Sequence, residues 1–234
     1  MCISNFVKIT VIGFFVFGFA TSCGTKKFKK SPLDNYIVEN SQEKQFSVIL
    51  EDMDVSGTFF NTYQHKYRVI KHKEDDTPYE QVSDWIEVDE KFFARHEDNL
   101  GMVILEKKDQ GKISKVAAPP GYGYVGDSRY GEWRTHNGST FWGFYGRYMF
   151  MSQMFGMINR PVYRNDYDTY RGGGYYGSRN YYGPKKGSGS LYGTNSQQTR
   201  KEKPNFFRRR AANTGWSSSR NRSGSRSRST GFGK

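Results

Sequence analysis

The chain has 234 residues, with 36 Lys and Arg against 23 Asp and Glu for a formal charge of +13, which leaves room for one modest domain plus extensions. The charge is unevenly spread: residues 33–118 carry eleven basic and eighteen acidic groups, net −7, while residues 200–234 carry eleven and one, net +10. An acidic body ahead of a basic tail is the pattern of a chain with an interaction tail, and two cysteines are too few for a disulfide-rich scaffold.

Lys8 is the only charge in the first twenty-five residues, and Ile9, Val11, Ile12, Phe14, Phe15, Val16, Phe17, Phe19 and Ala20 follow it. The uncharged run over 9–25 is 17 residues long, the short limit for crossing a hydrocarbon core of about 30 Å. A charged start and a short apolar stretch suit a cleaved leader. The run ends in Ala20-Thr21-Ser22-Cys23, small residues leading into a cysteine. This junction resembles the lipobox of bacterial lipoproteins. The resemblance implies that residues 1–22 are a signal peptide, that the Cys23 thiol receives diacylglycerol, and that the new N-terminus is acylated. An ordinary secretory leader and an uncleaved anchor helix are the alternatives. Such a set of acyl chains exceeds the two-signal threshold for stable anchoring. Gly24 stands where the family uses Asp to mark inner-membrane retention, which implies the outer membrane, with the chain periplasmic or surface-exposed. Loss of Cys2 with the leader and blockage of Cys23 by lipid then remove disulfides, thiol nucleophiles and thiolate metal sites. Lys26, Lys27, Lys29 and Lys30 either meet anionic head groups, at about 1 kcal/mol per residue near the surface, or belong to a solvated linker over 23–45.

A small α+β domain with an antiparallel sheet is expected over 46–118. Phe46, Val48 and Leu50 alternate with polar neighbours, as do Tyr63, His65, Tyr67 and Val69, which predicts two half-buried strands joined at Ser56-Gly57. A polar loop at Glu74 to Pro78 precedes Trp85, Ile86 and Val88. Asp89 can cap a short helix whose Phe92, His96 and Leu100 share a face, with Phe93 beside them and Gly101 as a left-handed stop. Residues 102–105 and 113–118 read as a hairpin turning at Asp109-Gln110-Gly111. A core of roughly 70 residues is only marginally stabilising, so neighbouring segments are expected to pack on it.

Composition changes at Pro119: residues 119–199 hold 13 of the 17 tyrosines and 16 of the 26 glycines. Within the Gly/aromatic segment 119–170 the densest apolar run is 141–158, where Phe141, Trp142, Phe144, Tyr145, Tyr148, Phe150 and Phe155 stand among methionines around one charge, Arg147. An aromatic-rich helix is expected there, started by Ser139 or Thr140 and ended by Pro161. It docks on the body, lies in the membrane interface through those seven aromatic side chains, or spans the bilayer. No apolar periodicity survives from 171, so 171–234 is expected to be a disordered Gly/Tyr/Arg/Ser tail.

Gly121-Tyr122-Gly123-Tyr124-Val125-Gly126 has GxGxxG spacing, but Pro119-Pro120 stand where a strand must lead in, so a turn is a better reading than a nucleotide loop. Asp52, Asp54 and Gly57 fit half of an EF-hand loop, with Tyr63 where the bidentate Glu belongs, which favours an acidic turn over calcium. His65, His72, His96 and His136 lack ligand spacing, and carboxylates cluster only in polar stretches. No catalytic residue, metal ligand or cofactor is assigned, and a non-enzymatic role is expected.

Arg208, Arg209, Arg210, Arg220, Arg222, Arg226 and Arg228 are the candidates for polyanion contact, to anionic polymers or lipids of the envelope. The Arg/Ser and Arg/Gly/Tyr runs also resemble the disordered tails of RNA-binding proteins, where Arg pairs with phosphate and Tyr stacks on bases. Nucleic-acid binding by the tail is therefore the alternative, disfavoured behind a lipobox. A third reading needs no partner: the basic tail folds back on the acidic body.

Overall fold

Pro32, in the first turn, suits a helix start because its missing amide N–H has no intrahelical partner there, and α1 (Pro32–Glu39) begins at this point with Asp34 in its first turn. The computed structural model describes residues 31–57, 60–108, 111–187, 189–213 and 216. The linker expected over 23–45 thus enters the fold from residue 31, because Leu33 is buried and Tyr36 meets Tyr67 edge-on at 5.6 Å.

The α+β class holds. β1 (Phe46–Ser56) and β2 (Thr62–His72) pair antiparallel as their alternation predicts, with Val48 opposite Val69 and Leu50 opposite Tyr67. β3 (Pro78–Val82) and β4 (Ile86–Val88) both pair with the outer edge of β2. α2 (Glu90–His96) follows, its first turn closed by the Asp89 side chain accepting from the Lys91 amide. β5 (Val103–Lys107) then pairs with β1, and β6 (Ile113–Ser114) with β5, giving the order β3-β2-β1-β5-β6. α2 buries Phe93 and His96, while Phe92 is only partly buried.

Phe46 to Leu50 are buried without interruption, which requires cover on both faces of the sheet. On one face Tyr63 and His65 meet Phe93 of α2 at 5.1 and 5.2 Å. On the other, His72 lies 5.6 Å from Tyr124, and Arg68 donates to the Met154 carbonyl at 2.8 Å. The Gly/aromatic segment is therefore the second cover of the sheet.

That segment does not form the helix expected over 141–158. β7 (Gly131–His136) and β8 (Ser139–Phe144) make a hairpin instead. Asn137 and Gly138, at φ of 48° and 75°, build its two-residue turn, and Asn-Gly is the strongest short-range hairpin signal. Trp133 packs edge-on against Trp142 at 5.3 Å, and the Thr135 and Thr140 hydroxyls bond at 2.9 Å across the strands. Such cross-strand pairs outweigh the helical reading where glycine is frequent. Only a 3-10 turn (Gly146–Tyr148) and α3 (Phe150–Met154) are helical, and both lie against the body.

The disorder expected from 171 is also corrected, up to residue 213. α4 (Arg164–Gly172), β9 (Lys185–Lys186), β10 (Gly189–Ser190), α5 (Gln197–Glu202) and α6 (Pro204–Ala212) occupy the stretch. Tyrosine supplies the apolar surface in a stretch without apolar periodicity. The Tyr122 ring lies 5.3 to 6.1 Å from those of Tyr167, Tyr170, Tyr181 and Tyr192, and a buried tyrosine body contributes like any large aromatic.

α6 closes an open edge. β5 leaves β1 after Ile49, so the far half of β1 lacks a strand on that side. Arg209 donates to the Met53 carbonyl at 3.3 Å and Asn213 to that of Val55. Phe206, 1 % exposed, packs edge-on with Trp216 at 5.3 Å, and Trp216 with Phe93 at 5.1 Å. Burying such a ring is worth about 1.5–3 kcal/mol, against about 0.2–1 kcal/mol for an exposed ion pair. Rings therefore hold α6, and charges set its register. In chemical denaturation Phe206→Ala is expected to lower stability by about 3–5 kcal/mol and Arg209→Ala by about 1 kcal/mol; the reverse order would contradict this assignment.

Two histidines are buried at α2, His65 beneath it on β2 and His96 in its last turn. His65 Nδ1 is 3.0 Å from the Tyr67 hydroxyl, and His96 Nδ1 is 3.1 Å from the Asn99 amide nitrogen. Burial, then the charge of His96, holds His65 well below its ordinary range; burial, then Arg95, brings His96 down to about 4. Folding selects the neutral rings, so the stability they contribute is present above pH 6.5 and lost as pH falls toward 4. For His96 the loss is roughly 3 kcal/mol, read as a falling urea midpoint across that window.

Candidate functional site

The candidate tail residues are only partly placed for ligand contact. Arg209 reaches Asp52 at 2.7 Å and Asp54 at 3.5 Å, and Arg210 reaches Glu97 at 2.9 Å. Glu97 also accepts from the Trp216 indole at 3.1 Å. Lys203 pairs with Glu51. Arg208 is exposed on α6 and donates to Asn205 at 2.9 Å. Arg220, Arg222, Arg226, Arg228 and Cys23 lie outside the described residues. Asp52 and Asp54, read as an acidic turn, stand on β1 opposite Lys66 and Gln64.

Of the membrane-interface candidates, Trp142, Phe144, Tyr148 and Phe155 are buried in the core and Phe141 is partly buried. Tyr145 and Phe150 are exposed, together with Met149 and Ile158. Among the described residues no helix is long and apolar enough to cross a membrane, and no three His, Cys, Asp or Glu side chains gather as metal ligands.

Among the described residues, cationic side chains also converge elsewhere. The glycine-rich 121–126 stretch is a series of turns, with Gly121 and Gly126 at φ of 79° and 82°. It carries Tyr122 and Tyr124 into the core and sets Gly123 against Glu106 of β5. Beside it a groove of about 250 Å³ is lined by Gln45, Lys108, Lys112, Asp127, Arg129 and Arg171, with Tyr176 in its wall. A narrow cavity of about 20 Å³ adjoins it and shares Lys108, Lys112 and Tyr176.

Each groove residue comes from a different part of the chain. Lys108 and Lys112 flank the β5–β6 turn, Arg129 follows the glycine turns, and Arg171 stands in the last turn of α4, where a cation complements the helix dipole. Around the Tyr176 ring, Arg171 lies at 3.9 Å, Lys108 at 4.3 Å and Lys112 at 5.8 Å. Lys108 pairs with Glu106 at 3.4 Å, and Arg129 with Asp127 at 2.7 Å. Burial pushes the Glu106 carboxyl up, against the pull of Lys108 and Arg171. Burial likewise opposes ionisation of Tyr176, yet hydrogen bonds and charge from Lys108 and Arg171 bring its hydroxyl below the ordinary value.

Sequence reading missed these residues because no two of the four cations are adjacent. The available signal was Gly123 in a glycine motif, which has a packing reason: a Cβ there would stand 1.7 Å from Glu106 Oε1. Comparison with protein-family models, curated proteins and solved structures found no match.

Gly123→Ala is therefore expected to displace the Glu106 carboxylate and cost about 1–3 kcal/mol. The double variant with Glu106→Ala should recover most of that loss in a thermal-melt cycle; simple additivity would show that the two positions do not touch.

Proposed function

We propose that the protein is a lipid-anchored component of the bacterial outer membrane that binds anionic envelope polymers or lipids without catalysing a reaction. The observation that carries the anchor is the Ala20-Thr21-Ser22-Cys23 junction behind the apolar run. Binding draws support from the cationic groove. Arg209 and Arg210, which both the envelope and the nucleic-acid readings gave to a ligand, are engaged by body carboxylates. Lys108, Lys112, Arg129 and Arg171 take over the main weight of anion contact, with Arg208 exposed at a second place. Exposed Tyr145, Met149, Phe150 and Ile158 are compatible with work beside a bilayer.

Metabolic labelling with radioactive palmitate tests the anchor. In a bacterial host, label is expected on wild type, absent from Cys23→Ala, and found in the outer-membrane fraction. Full-length unlabelled soluble protein would sink the anchor reading. Pull-down at low salt tests the ligand class: lipopolysaccharide or peptidoglycan should outcompete RNA, and the opposite ranking would make nucleic acid the partner.

A further inference from the structure

The groove is lined by four cations and Asp127, with Glu106 in the adjoining cavity; Lys108 pairs with Glu106 and Arg129 with Asp127, and Arg129 also borders a cleft that holds Glu43, Glu74 and Asp76. Lys112 and Arg171 have no ion-pair partner among the described carboxylates, although both lean on the same Tyr176 ring. Two like charges brought together around one ring repel, and a bound anion removes that repulsion while gaining charge-assisted hydrogen bonds. Tyr176 adds a hydroxyl donor, and the fall in its ionisation range reports the positive potential of the place.

We propose that this groove is a binding site for a phosphomonoester group, held between Lys112 and Arg171 with Lys108, Arg129 and Tyr176 around it. Lys112 and Arg171, the two groove cations without an ion pair to a described carboxylate, match a group carrying about −1.5 to −2 at neutral pH. A lone carboxylate carries half of that. The guanidinium of Arg171 offers the planar fork that phosphate oxygens accept in pairs, and Lys112 acts as a point charge on a flexible stem. Ring contact with Tyr176 restrains the Arg171 head before ligand arrives, which lowers the ordering cost of binding. The proposal deepens the anion-binding half of the function proposed above and is independent of the lipid anchor.

Equilibrium dialysis of the purified full chain in detergent, against radiolabelled inorganic phosphate and separately against glucose 1-phosphate, reads the site directly. Saturable one-to-one binding is expected, weakened about tenfold or more by Lys112→Gln and by Arg171→Gln. Lys91→Gln, an exposed change on α2, should leave it unaltered. Acetate at equal concentration should compete at least tenfold less well than phosphate. If Arg171→Gln does not fold, Lys112→Glu on the exposed turn carries the test alone. Cosedimentation with phosphatidylcholine vesicles, with and without phosphatidic acid, separates the sources: capture by phosphatidic acid alone identifies a lipid head group, and binding of glucose 1-phosphate alone identifies a soluble or polymer-borne ester. Equal binding in all variants, equal competition by acetate, or no binding to any probe overturns the proposal. Wild type that binds phosphate but takes no palmitate label would sink the anchor and leave the groove standing, whereas a labelled wild type that binds no phosphate would sink the groove and leave the anchor.

Discussion

Strand β1 is buried on both faces over its first half and loses its neighbour on one edge over its second. A backbone so placed must have its carbonyls and its flanks covered, since a bare edge next to a core invites pairing with another chain. Most of what lies outside the sheet can be understood as meeting that requirement. α1 and α2 cover one face, the Gly/aromatic segment covers the other, and α6 lies along the open edge.

The charge asymmetry of the chain follows from the same constraint. Acidic Glu51, Asp52, Asp54 and Glu97 stand where α6 must dock, and Lys203, Arg209 and Arg210 meet them. The Lys203 and Arg209 pairs are partly exposed, so they fix the position of α6 more than they stabilise it, whereas Arg210 and Glu97 are largely buried beside Trp216. The grip comes from Phe206 and Trp216 against Phe93. Part of the basic C-terminal segment thereby becomes structural, and the groove beside Tyr176 holds cations that the body's described carboxylates do not balance.

Tyrosine explains how a chain with 35 % hydrophobic residues builds a second layer. Tyr122 and the four tyrosines around it form a core whose rings meet at edge-on or tilted angles. Glycines let the backbone pass close to those rings: Gly121 sits against Phe155 and Met157, and Gly183 against Tyr192. The same turns that carry Tyr122 and Tyr124 inward carry Arg129 past the β5–β6 turn, so core formation and groove formation are one event.

The sequence by itself determined the β1–β2 hairpin and the Asp89-capped helix, because period-two alternation and capping are local; of the return strand expected over 113–118 only Ile113–Ser114 pairs as β6, with Ala118 bridging Val103. The sequence also contains the Asn137-Gly138 hairpin signal, which the apolar density over 141–158 obscures. β3, with one buried residue in five, left no periodic trace. Tertiary structure alone decided that tyrosine-rich and arginine-rich segments fold, because their stability comes from rings far away in the chain, such as Tyr122 for Tyr181 and Phe93 for Trp216. It alone decided the groove as well. Lys108, Lys112, Arg129 and Arg171 are separated in the chain, and only the packing of α4 and the glycine turns against β5 brings their charges around one ring.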